Sequence, residues 1–115
     1  MSAMSIGERL FLKDDPRGAT LVCRTGEGQE AIVFQVGMST HSLIGLNQQL
    51  SQMACLWNIA DGSLSIYGDS EELTLTFCSC RGPFVEVSVS LIGDDLKAFK
   101  WAVHAFASRH TARLN

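Results

Sequence analysis

Val85-Glu86-Val87-Ser88-Val89-Ser90-Leu91 is the stretch that decides the fold. Aliphatic side chains occupy every second position and polar ones fill the gaps. Successive residues of a strand point to opposite faces of the sheet, so this segment reads as a strand with one apolar and one polar face. Such one-sided strands belong to antiparallel sheets covered on one side only. Gly93 closes the strand. Asp94 then caps a helix with Leu96, Phe99, Val103 and Phe106 on one stripe, and Asp95 stands favourably beside its positive end.

Working upstream, Arg81-Gly82-Pro83 is a turn, because proline fixes φ and glycine tolerates conformations closed to other residues. Leu73, Leu75 and Phe77 alternate with Thr74, Thr76 and Cys78 in the strand before it. Gly68-Asp69-Ser70 turns back to Leu64 and Ile66, and Asp61-Gly62 opens the unit. The first half repeats the pattern. Leu10 and Leu12, a turn over residues 14–18, then Leu21 and Cys23, and a turn over 26–29 lead to Ile32, Phe34, Val36 and Met38. Ser39 or Thr40 caps a helix with Leu43, Leu46, Leu50 and Met53 on its stripe, and Trp57 continues it.

Leu10, Leu12, Leu21 and Cys23 precede Leu64, Ile66, Leu75 and Phe77 by 54 residues; the following strand and helix precede their counterparts by 53. One residue lost in the second hairpin turn accounts for the change. The expectation is an α+β fold of order β-β-β-α-β-β-β-α, pseudo-duplicated, with an antiparallel sheet carrying both helices on one face. It forms a single domain over residues 1–115, with halves at about 8–57 and 62–110.

The chain has 115 residues, enough to close one core but not two. Its formal charge of −3 argues against non-specific nucleic-acid binding, which needs Lys and Arg to displace condensed counterions. No apolar run approaches the roughly 20 residues needed to cross a bilayer. The start lacks the basic segment and apolar run of an export signal, so a cytoplasmic setting with Cys23, Cys55, Cys78 and Cys80 as reduced thiols is expected.

Candidates for chemistry are weak. Cys78 and Cys80 share a strand face and have the chemistry of metal ligands, but a tetrahedral site needs four donors, and His41, His104 and His110 are scattered. Small side chains filling the sheet face opposite Leu75 and Phe77 account for the pair more simply. Cys55 reads as a buried thiol behaving as a small hydrophobe. His41 at a helix start and His110 near a frayed helix end read as solvated surface residues. Gly26-Glu27-Gly28 is explained by a hairpin turn. No nucleophile elbow, zinc helix motif, phosphate loop or dinucleotide fingerprint occurs, so neither an enzyme nor a cofactor is expected.

Acidity is uneven. Asp61, Asp69, Glu71, Glu72, Glu86, Asp94 and Asp95 lie between residues 61 and 95 against a single base, Arg81. The last helix instead carries Lys97, Lys100, Arg109 and Arg113. Ordinary loop solvation explains the acids; the functional alternative is an acidic rim that meets a basic patch on a protein partner. Trp101 falls off the apolar stripe of its helix and is either an exposed interface anchor or a residue packed across the neighbouring helix. Asp61, Asp69, Glu71, Glu72, Asp94 and Trp101 are therefore the candidate partner-binding residues.

A leucine-patterned helix, Gly62-Ser63-Leu64-Ser65-Ile66, Glu72-Leu73-Thr74-Leu75-Thr76-Phe77, Val85 to Leu91 and Asp95-Leu96-Lys97-Ala98-Phe99 together resemble the WapI-like bacterial immunity proteins. The similarity runs from about Ile32 to Phe106, and Trp57 near the end of the first helix also fits it. The resemblance implies a non-enzymatic cytosolic protein that binds and neutralises one cognate toxin. Two alternatives stay open: a secretion chaperone or adaptor, and a small-ligand-binding domain, the latter with the polar sheet face covered in a homodimer.

Overall fold

The computed structural model describes residues 3–25, 32–51, 56–57, 64–69, 71–78 and 85–114. Strands β1 (Ala3–Ile6), β2 (Leu10–Asp15), β3 (Gly18–Thr25) and β4 (Ile32–Ser39) form an antiparallel meander followed by helix α1 (Thr40–Ser51). A second meander of β5 (Leu56–Trp57), β6 (Leu64–Gly68), β7 (Glu72–Cys78) and β8 (Glu86–Ile92) is followed by α2 (Gly93–Leu114). Among the described residues the fold is α+β with two helices, as the hydrophobic periods require.

The order differs from the expected one at the start of each half. β1 pairs Met4 with Leu12 and Ile6 with Leu10, and β5 pairs Trp57 with Ile66. Trp57 therefore lies on a strand, not on a prolongation of α1, which ends at Ser51. A four-residue strand and a two-residue strand are too short to show a period, so alternation did not mark them. The strands also form two separate sheets rather than one.

The ladders repeat between the halves. Leu10 faces Cys23 and Leu12 faces Leu21; Leu64 faces Phe77 and Ile66 faces Leu75. Leu21 faces Val36 just as Leu75 faces Val89. Thr40 and Gly93, the first helical residues, stand at the same offset as the last strands.

One core unites the halves. The Phe34 and Phe77 rings lie 5.7 Å apart, and Phe77, Phe99 and Phe106 are fully buried. α1 packs on β3 and β4, whereas α2 reaches β1, β2 and β3 as well as β7 and β8. Ser39 caps α1, its Oγ accepting from the Ser42 amide at 3.1 Å. Asp94 and Asp95 fall within the first turn of α2, where the helix dipole favours carboxylates.

Candidate partner-binding site

The acidic turn between β6 and β7 is built by Asp69. Its carboxylate accepts from the amides of Glu71 at 2.8 Å and Glu72 at 2.9 Å, and the Asp69 amide donates to the Glu72 carbonyl at 2.8 Å. These amide donors favour the ionised form and hold the Asp69 carboxyl below the usual range. Gly68 has φ +152°, and a Cβ there would stand 2.2 Å from the Glu72 carbonyl oxygen, so the turn closes only with glycine. The exposed charges of Asp69, Glu71 and Glu72 are thereby set on a rigid support.

The β7–β8 ladder carries this turn to the start of α2. Glu72 faces Ile92, and Asp94 follows two residues later. The β1–β2 turn arrives from the other half: Gly7 has φ +66°, and a Cβ there would lie 3.0 Å from the Asp95 carboxylate. Glu8 is therefore brought to the acidic end together with Asp95. Sequence reading passed over Glu8, because the approach of Gly7 to Asp95 joins residues far apart in the chain and leaves no local signal. Asp69, Glu71, Glu72 and Asp94 are exposed and share this end, while Asp61 lies outside the described residues.

Trp101 is 63% exposed and so does not pack across the neighbouring helix. It follows Asp94 by seven residues, about 10 Å along the axis on nearly the same side of α2. Beside it, a groove of about 320 Å³ runs between Leu50 and Ser51 of α1 and Lys97, Lys100, Trp101 and His104 of α2. The surface thus changes sign along α2, from carboxylates at its start to lysines around the tryptophan.

The larger cleft, of about 490 Å³, lies between the β1–β2 turn and β8. Ile6 to Leu10 form one wall, Ser88 to Leu91 the other, and Asp95 stands at the side. A third hollow of about 270 Å³ lies over Arg17, Thr20 and Gly37 on the first sheet.

Two cross-strand pairs form on the polar face of the second sheet. Thr76 Oγ1 and Ser88 Oγ are 3.0 Å apart, and Cys78 Sγ lies 3.7 Å from Glu86 Oε2. Cys80 lies outside the described residues. Among the described residues no three His, Cys, Asp or Glu side chains are grouped to hold a cation. Cys23 is fully buried; burial pushes its thiol up, partly offset by the Arg9 charge, so the nucleophilic thiolate is disfavoured.

His110 departs from the expected surface position. It is 3% exposed rather than solvated at a frayed end. Its Nε2 lies 3.2 Å from Asp14 Oδ1, and its Nδ1 lies 3.3 Å from Thr40 Oγ1. A carboxylate only accepts, so Nε2 donates to Asp14. Thr40 Oγ1 also donates to the Arg17 carbonyl at 3.1 Å. The order Thr-His-Asp has the outline of a nucleophilic relay, but the hydroxyl is engaged by the Arg17 carbonyl and lines none of the three clefts above. The group is a clamp: it fastens the far end of α2 to the end of β2 and to the start of α1.

No helix among the described residues is long and apolar enough to cross a membrane. Comparison with protein-family models, with curated proteins and with solved structures gave no match.

Proposed function

We propose that this chain is a non-enzymatic protein-binding domain of the immunity type, acting in the cytoplasm on one toxin domain through its acidic end. The supporting observation is the gathering of Asp69, Glu71, Glu72 and Asp94 at one end of the second sheet by the β6–β7 turn and the β7–β8 ladder. Carboxylates on a rigid turn steer a basic partner and exclude acidic ones, which raises the association rate more than the affinity. Trp101, two turns along α2, supplies an aromatic anchor of the kind that dominates interfaces.

The test is co-expression with a toxic reading frame encoded beside this one. The expected result is restored growth and a one-to-one complex by size exclusion with light scattering. Reversal of Glu71 and Glu72 to Lys is expected to slow association about tenfold at low salt. Growth arrest that persists despite soluble expression of the chain would remove the immunity reading.

A further inference from the structure

We infer that the cleft between the β1–β2 turn and β8 accepts an extended segment of the partner protein, which adds to the second sheet as a further strand. The inference rests on the partner-binding reading and specifies how the partner is held.

β8 is the last strand of its sheet, and among the described residues its amides and carbonyls bond only toward β7. The strand pairs residue for residue from Glu86 to Ile92, with no bulge, proline or lysine. Edge strands left this regular are templates for another chain unless something blunts them. β4 ends the first sheet in the same way, but beyond Ile32 at its start its inward side chains Phe34, Val36 and Met38 are already buried. The counterparts Val87 and Val89 are only half-buried. A strand laid beside β8 would cover apolar surface along the middle of the strand; on β4 the exposed apolar side chains, Ile32 and Val33, stand only at its start.

The cleft also selects the occupant. The turn residues Ile6 to Leu10 stand opposite Ser88 to Leu91, leaving a slot of about 490 Å³ in place of an open edge. Facing walls of this kind admit one extended chain and obstruct the approach of a second whole copy through β8. The four β8 residues on the wall offer a run of about 13 Å to pair with. Alternate side chains of the guest would meet Val87 and Val89 on one side and Ser88 and Ser90 on the other. Glu8 and Asp95 at the slot outnumber Arg9, so a guest with a basic residue at that end is favoured.

The probe is a synthetic seven-residue peptide of alternating valine and threonine with one terminal lysine, added at millimolar concentration to the full chain. Amide hydrogen exchange by NMR reads the outcome. Alternate amides of Glu86 to Ile92 are expected to slow by at least about tenfold. Two further peptides, N-methylated at odd or at even residues, should differ: one phase keeps binding and the other loses it. Equal binding of both phases, absence of protection on β8, or protection that grows with protein concentration without peptide would each overturn the inference. In the complex with the toxin, unprotected β8 amides would overturn it while leaving the immunity reading intact. Pairing of the peptide on β8 with no rescue of growth would do the reverse.

Discussion

β4 and β8 hold equivalent places in two ladders of the same register, yet their inward faces end in different states. Beyond Ile32, which is 43% exposed at the start of β4, Phe34, Val36 and Met38 are 9%, 3% and 4% exposed, whereas Val87 and Val89 remain half-buried and only Leu91 is closed, at 2%. The strands pair alike, so the cause lies in the helices. α1 is short and stays on β3 and β4; α2 is 22 residues long and also covers β1, β2 and β3. Its far end is fastened to the first half by His110 through Asp14 and Thr40. The second half thus lends its helix to the first, and β8 is left incompletely covered. The comparison teaches that a repeated hydrophobic pattern specifies ladders more tightly than it specifies which helix closes which face.

The largest effect should come where the two halves meet. Phe77→Ala removes a fully buried ring in contact with Phe34 and should cost about 3–5 kcal/mol in urea unfolding. Both halves should still unfold in one transition, because they share a core. Two separated transitions would mean that the halves are independent and that the lending of α2 is not structural.

His110→Ala cuts the fastening. The expected loss is about 1–3 kcal/mol, since a buried polar group is removed and its partners lose a hydrogen bond. Amides near the end of α2 should exchange faster while those of β7 change little. A uniform loss of protection would show that the clamp holds no particular end of the helix.

Asp69 gives a smaller, pH-dependent effect in the second half alone. Its folded carboxyl is held low by two backbone amides, so its contribution is present above the ordinary aspartate range, near pH 4, and is lost as pH falls through the lowered folded value. Asp69→Asn should therefore flatten the acid side of the stability profile. An unchanged profile would show that the turn does not depend on the ionised carboxylate. Smallest of all, Trp101→Ala should leave thermal stability within about 0.5 kcal/mol while weakening the complex with the proposed protein partner, as expected of an exposed anchor.

Much of this architecture was legible from alternation and from a helical stripe, because β2 to β4, β6 to β8 and both helices each bury one face. The apolar residues at spacing two in β8 mark it even though its inward face is incompletely covered. β1 and β5 escaped for lack of length. Part of the candidate site was legible too: Asp69, Glu71 and Glu72 are turn residues, Asp94 lies in the first turn of α2, and the ladder brings them to one end. Glu8, the cleft and His110 were not, since each depends on segments that meet only when α2 crosses the first sheet. A histidine one turn from the end of a helix carries no sequence mark of the Asp14 carboxylate that will receive it.

The central claim is that equivalent strands are unequally closed, and paired truncations of Val36→Ala and Val89→Ala test it most directly. Chemistry and β-propensity loss are the same at both sites, so they cancel in the difference. Val36→Ala should cost about 2 kcal/mol and Val89→Ala about half as much in the isolated chain. Equal costs at the two positions would mean that β8 is as fully covered as β4, and the account of an open edge would be contradicted.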